Sequence, residues 1–248
     1  MKKTLFFVLI FAFLAGGIFG QSVNDFEFER NASGTIIITE YNGSTKRVTI
    51  PATLSGVRVT EIGEWAFHDN ELTSVIIPNG VTIIGGMAFY ENELTSVTIP
   101  NSVTTIGEWA FAENELTSVT IPNSVTTIGE SAFHDNELTG VTIPNSITVI
   151  EDGVFSWNKL SSVTIPNSVT TIGKQAFAVN QLTSIIIPNS VTTIGERAFD
   201  NNKLASITLG ANVRFDQSAF ENNLSDFYIS QGRRAGTYTW NGRAWTVR

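Results

Sequence analysis

Apolar side chains recur along this chain at a spacing that belongs to neither a lone helix nor a lone strand. Leu72, Leu94, Leu116, Leu138, Leu160, Leu182 and Leu204 stand 22 residues apart, and proline (Pro78 to Pro188) and phenylalanine (Phe67 to Phe199) keep the same period. A fixed period of this size marks a solenoid, whose units bury their apolar faces only by stacking on one another. Residues 94–115 serve as one unit. Ser96 to Ile99 alternates and is rich in β-branched residues, which predicts a short strand with Val97 and Ile99 inward. Pro100 has no N–H and ends the strand. Asn101-Ser102 turns the chain, Val103 to Ile106 makes a second extended piece, and Gly107 bends it again. Glu108-Trp109-Ala110-Phe111 suits a single helical or 3-10 turn. Leu94, Val97, Ile99, Val103, Ile106 and Phe111 then face inward and stack as columns on the next unit.

The pattern decays at both ends, where a solenoid needs caps over its open strands and core. Residues 21–45 read as an N-terminal β-hairpin, with strands at Phe26-Glu27-Phe28 and Thr35 to Thr39 joined across Asn31 to Gly34. Residues 46–223 carry the repeat. Its first turn is degenerate, because five extra residues around Leu54 to Arg58 separate Pro51 from Pro78. Residues 224–248 read as a C-terminal cap: a strand at Phe227-Tyr228-Ile229, then a hairpin turning at Asn241-Gly242. Within the repeat, residues 138–159 are the least regular, with Glu151 where the other units have glycine; a positive φ there would strain Glu151.

Composition narrows the function. The 248 residues carry a formal net charge of −8 and no cysteine. Acidity argues against a nucleic-acid partner, and the missing thiols exclude disulfides and cysteine chemistry. Residues 1–20 read as a signal peptide: Lys2 and Lys3, an apolar run from Leu5 to Ala15, then Gly16, Gly17 and Gly20 near a cleavage point. The apolar stretch is too short to span a bilayer, and no membrane span is expected in the mature chain. Export follows, to the cell surface, the medium or the periplasm.

Catalytic signals are thin. No phosphate loop, nucleophile elbow or metal-ligand cluster is present, and no cofactor is expected. His68 and His134 lie three repeats apart, roughly 14 Å in stacked rungs, too far to share one metal. Glu108 and Glu130 fall on neighbouring rungs, a spacing compatible with a glycosidase pair, but on an exposed turn without a cleft. The asparagine columns Asn70 to Asn202 and Asn79 to Asn189 read as ladders tying turn backbones together.

The repeat, written L-x-x-V-x-I-P-x-x-V-x-x-I-G-x-x-A-F-x-x-N over roughly residues 46–230, resembles the BspA-like class of leucine-rich repeats of treponemal type. The resemblance implies a right-handed, mainly β solenoid of about eight turns, and an exported surface protein that acts as an adhesin or host-interaction protein rather than an enzyme. A structural spacer of the cell envelope and a carbohydrate-active enzyme are the alternatives.

Two pairs of positions per repeat vary most, both flanking the buried Ala-Phe pair. Trp65, Met87 and Trp109 fall on consecutive rungs with His68 and Tyr90 beside them. Either this stripe binds a host or cell-surface protein or a glycan, or its side chains lie flat and bury themselves. The opposite face is a lawn of Ser and Thr, broken by Ile76 and Ile186.

Overall fold

The computed structural model describes residues 21–216 and 218–248; the expected signal segment, residues 1–20, lies outside the described residues. A 3-10 turn, Val23–Asp25, capped by the Ser22 hydroxyl, leads into an antiparallel hairpin of β1 (Phe26–Arg30) and β2 (Ile36–Tyr41). β3 (Arg47–Thr49) follows. The five extra residues of the first turn close a small hairpin between β4 (Thr53–Leu54) and β5 (Val57–Ile62), with Ser55 and Gly56 both at positive φ, 52° and 74°. Two-residue turns of that kind match the twist of paired strands.

Each later rung supplies one three-residue and one two-residue strand. The first set is β6 (Ser74–Ile76), β8 (Ser96–Thr98), β10 (Ser118–Thr120), β12 (Gly140–Thr142), β14 (Ser162–Thr164) and β16 (Ser184–Ile186). The second is β7 (Ile83–Ile84), β9 (Thr105–Ile106), β11 (Thr127–Ile128), β13 (Val149–Ile150), β15 (Thr171–Ile172) and β17 (Thr193–Ile194). β18 (Ser206–Leu209) and β19 (Arg214–Phe215) complete the stack. The two-residue strands pair in parallel with the expected register, Thr105 on Thr127 and Ile106 on Ile128, while the three-residue strands pair in separate groups, such as β8 with β10, β12 with β14 and β16 with β18. The fold is a mainly β solenoid of about eight turns.

The third side is built from turns. The Glu108–Phe111 turn makes a single cycle, closed by Ala112 N–H to the Trp109 carbonyl at 3.1 Å. Positive φ at Trp109 (55°) and Glu113 (53°) stops it from growing into a helix. Its N–H groups bond the next rung instead: Trp109 to Glu130 O at 2.9 Å, Phe111 to Ala132 O at 2.9 Å, Glu113 to His134 O at 3.0 Å.

Inside, all six inward residues of the 94–115 unit are buried. Phe67 to Phe220 form a continuous pile of near-parallel rings, centroids 5.0 to 5.7 Å apart. The first asparagine column ties the rungs. Asn114 Nδ2 donates to Phe89 O at 2.8 Å and to Ala112 O at 3.1 Å, and its Oδ1 accepts from Leu94 N–H at 3.1 Å. The second column departs from expectation. Asn79, Asn101, Asn123, Asn145, Asn167 and Asn189 are all exposed. Their turn is already closed by backbone, Val103 N–H to Pro100 O at 3.0 Å, and Ser102 supplies the link to the preceding rung through Val81 O at 2.6 Å.

Two further expectations are corrected. The segment around Phe227-Tyr228-Ile229 is a helix, α1 (Leu224–Ser230), not a strand. Leu224, Phe227 and Tyr228 stand at helical spacing and put one face on the core. The terminal hairpin, β20 (Gly236–Trp240) and β21 (Trp245–Val247), turns through four residues rather than two, with Asn241 Oδ1 accepting from Arg243 and Ala244 N–H, both at 3.0 Å. β20 lies antiparallel on β18 and covers the last rung. The glycine column is not explained by positive φ. Gly107 does not adopt positive φ; a Cβ there would lie 2.5 Å from the Gly85 carbonyl carbon, so close approach of rungs selects glycine. Glu151 carries that Cβ, and the sheet containing β11 ends there, β13 opening a new one.

Candidate binding site

Four of the five residues singled out on the variable stripe come together as an edge-to-face chain of rings. His68 meets Trp65 at 5.1 Å, Trp65 meets Tyr90 at 6.1 Å, and Tyr90 meets Trp109 at 6.1 Å, with interplanar angles of 81° to 83°. The chain continues one step further than sequence reasoning took it, from Trp109 to His134 at 5.1 Å. The rings zigzag between two columns, because positions three apart in one turn straddle the crest. The signal was present in the numbering: contacts fall at the 22-residue period plus or minus three. Met87 stands between Trp65 and Trp109 in its column, half-buried.

The crest is partly open. Trp65 is 41% exposed and His68 is exposed, while Tyr90, Trp109 and His134 are half-buried. The rings therefore both lie against one another and face solvent. The backbone beneath is unusual: Trp65, Met87 and Trp109 have φ of 63°, 53° and 55°. The left-handed region costs a side chain about 1 kcal/mol or more relative to glycine. Gly153 alone in that column escapes the cost.

Polar groups fix the ring orientations. The Tyr90 hydroxyl donates to Glu113 Oε1 at 2.7 Å. That bond, with burial and the negative charge of Glu113 and Glu91, pushes the phenol up to about 12. The His68 Nδ1 lies 2.9 Å from Trp65 O. The His134 Nδ1 lies 2.7 Å from Ser156 Oγ, whose hydroxyl donates to Gly153 O at 2.8 Å, so His134 must be the donor. Burial lowers the His134 pKa against the opposing pull of Asp135 and Glu113, so the ring is neutral near pH 7.

Other candidates have simpler surroundings. Glu108 and Glu130 are both exposed. Among the described residues, no group of three or more His, Cys, Asp or Glu is placed to hold a metal ion. The Ser/Thr lawn is exposed, and its exceptions Ile76 and Ile186 are 59% and 71% exposed. No helix among the described residues is long and apolar enough to cross a membrane.

Comparisons with known proteins agree with this architecture. No curated protein matches the chain. Among solved structures, a leucine rich cell surface protein from Faecalibacterium prausnitzii is 33% identical, with a TM-score of 0.68 over 94% of this chain; the chain spans 61% of that protein's length. A leucine rich repeat protein from T. pallidum, 23% identical and covering 64% of this chain and 88% of its own, shares the fold with a TM-score of 0.50. The family model for the BspA type leucine rich repeat region matches residues 40–160 and 148–238 in 6 copies. With its repeat, its stacked core and that match over most of its length, the chain belongs to the BspA-type leucine-rich repeat family.

Proposed function

We propose that this protein is an exported, surface-presented, non-enzymatic binding scaffold, an adhesin or host-interaction protein whose aromatic ridge docks a protein or glycan on a cell surface. One observation carries the reading: four rungs present Trp65, Tyr90, Trp109 and the flanking histidines as one continuous crest. Structural needs alone do not explain it. The same turn is built with Ser131, Gln175 and Arg197 elsewhere, and Trp65 and Trp109 sit where glycine is the cheaper residue. Exposed aromatic groups in contact mark interaction surfaces. Leucine-rich repeats commonly present such surfaces to proteins, and the similar Faecalibacterium protein is described as a cell surface protein.

The test is a screen of the purified chain against extracellular-matrix proteins and glycans, wild type beside the Trp65→Gly/Trp109→Gly double variant. Glycine suits the left-handed backbone, so the variant should keep its melting temperature within a few degrees while losing at least about tenfold in affinity, as interface aromatics usually cost. A wild type that binds nothing leaves the spacer role; binding unchanged in the variant moves the site to the Ser/Thr face.

A further inference from the structure

Charge is divided unevenly along the rod. Residues 21–137 hold 16 acidic and 4 basic side chains, whereas residues 138–248 hold 7 and 9. The ridge lies wholly in the acidic part. On one side of its crest stand Glu64, Glu108 and Glu130; on the other stand Asp69, Glu91 and Asp135, all six exposed. The ion pairs among the described residues are Lys46–Glu71, Lys159–Glu137 and Arg197–Asp200, and they use none of these six.

Gly86 gives the arrangement a shape. A Cβ on Gly86 would lie 3.4 Å from Glu108 Cγ and 3.7 Å from Glu64 Cγ. Two carboxylate arms from the rungs on either side thus lean over a position with no side chain of its own. The next residues along those three rungs are Trp65, Met87 and Trp109. The two glutamate arms thus flank an open position one residue before the ring-bearing crest. A guanidinium or ammonium group there meets opposite charge, and the neighbouring crest offers aromatic rings to the same extended segment. The Tyr90 phenol, bonded to Glu113 and neutral far above pH 7, adds no competing charge.

We propose that the ridge docks an extended, cationic segment of a partner protein, its Arg or Lys side chains seated between the carboxylate columns and against the rings. This rests on the reading of the ridge as a binding surface. The crest from the rung of His68 to that of His134 runs about 14 Å at ~4.8 Å per rung, room for four to five residues of extended chain at ~3.3 Å each. Anionic ligands are repelled by the same columns. Electrostatic complementarity of this kind sets partner choice and salt dependence.

The experiment measures binding of three labelled peptides to the full chain: an Arg/Ser-alternating one, its Glu/Ser counterpart and a neutral Gly/Ser one, together with neutral oligosaccharides. The variants are Glu64→Gln/Glu108→Gln and Trp65→Gly/Trp109→Gly, each checked for an unchanged circular-dichroism melt. The expected result is binding of the Arg peptide alone, weakened about tenfold or more by high salt and by each double variant. Arg-peptide binding that ignores Glu64→Gln/Glu108→Gln overturns the inference. Binding of a neutral oligosaccharide or the acidic peptide, lost only in the tryptophan variant, also overturns it while leaving the ridge as the site. If no bound probe responds to the tryptophan variant, the ridge reading falls as well.

Discussion

Single residues here obey a backbone demand that their chemistry does not advertise. In every repeat, two positions of the outer turn take positive φ: Trp65 and Asp69, Met87 and Glu91, Trp109 and Glu113, and so on to Arg197 and Asn201. Asp69, Asp135 and Asn201 are at ease there, since short polar side chains tolerate the left-handed region. Val179, at 54°, is the worst placed, because β-branching crowds the backbone. Val179→Asn should therefore stabilise the protein by about 1 kcal/mol, raising the melting temperature by roughly 2–4 °C for a chain of this size. A melt that falls would show that Val179 packing outweighs its strain. Tryptophan, methionine and valine carry no signature of left-handed backbone, so this feature was hidden in the sequence. The one clue was Gly153, alone among them in its column. The ring columns, by contrast, were legible, because the period places equivalent residues on adjacent rungs. His134 was harder to place because its own rung carries Ser131 where the preceding rungs carry Met87 and Trp109, so the run of large side chains reads as ended at Trp109.

Among the elements, the rung at 138–159 divides the stack. The two-residue strands form one ladder up to β11 and another from β13 onward. On the opposite face the short strands pair in separate groups all along the stack, with β6–β8, β10–β12 and β14–β16 unpaired, so the break particular to this rung is in the two-residue ladder. Only the outer turns carry hydrogen bonds through this point in quantity, for example Ser131 N–H to Asp152 O at 2.9 Å and Phe133 N–H to Val154 O at 3.0 Å. The phenylalanine pile reaches its widest spacing here, 5.7 Å for Phe133–Phe155 and Phe155–Phe177. Glu151 supplies the cause: where glycine lets rungs approach, its Cβ needs space that neighbouring backbone would fill. Glu151→Gly is expected to rejoin β11 and β13 and slow amide exchange at residues 148–151 about tenfold or more, since exchange tracks local opening. Unchanged exchange there would place the cause of the break elsewhere. The Gly-to-Glu change was visible in the sequence, but its meaning was not, because a glycine kept for close approach looks the same as one kept for positive φ. The strand expected at Phe227 failed for a related reason. Three consecutive apolar residues fit either period, and packing of Leu224 and Tyr228 on the last rung chose the helix.

At the scale of the whole molecule, the solenoid depends on its ends. Repeat stacks are stabilised by neighbour contacts and open most easily from uncapped termini. Three of the four tyrosines sit in the caps, and each phenol is engaged: Tyr41 donates to Thr45 O at 3.1 Å, Tyr228 to Gly210 O at 2.8 Å, Tyr238 to Arg234 O at 2.6 Å. Burial is the main cause that raises the pKa of all three, outweighing Lys46 beside Tyr41, Arg233 beside Tyr228 and Arg234 beside Tyr238, which favour the phenolate. Tyr90 is raised as well, to about 12, chiefly by its bond to Glu113. A folded-state pKa above the unfolded value of 10.0 means that folding holds the proton. The stability this confers is complete below about pH 10 and is lost as pH climbs through the raised values. Alkaline titration should thus show no phenolate absorbance step at the ordinary tyrosine value, then a joint rise of phenolate absorbance and loss of circular dichroism above it. The caps should lead: amide protection in β1, α1 and β20 should fall before that of β9. Tyr228→Phe/Tyr238→Phe separates the two consequences of one hydroxyl. It should lower stability at neutral pH by about 1 kcal/mol for each lost hydrogen bond and move the alkaline transition to higher pH, because two groups that must ionise are gone. Tyrosines that titrate near 10 with the fold intact would show that the caps are open to solvent and do not hold the ends closed.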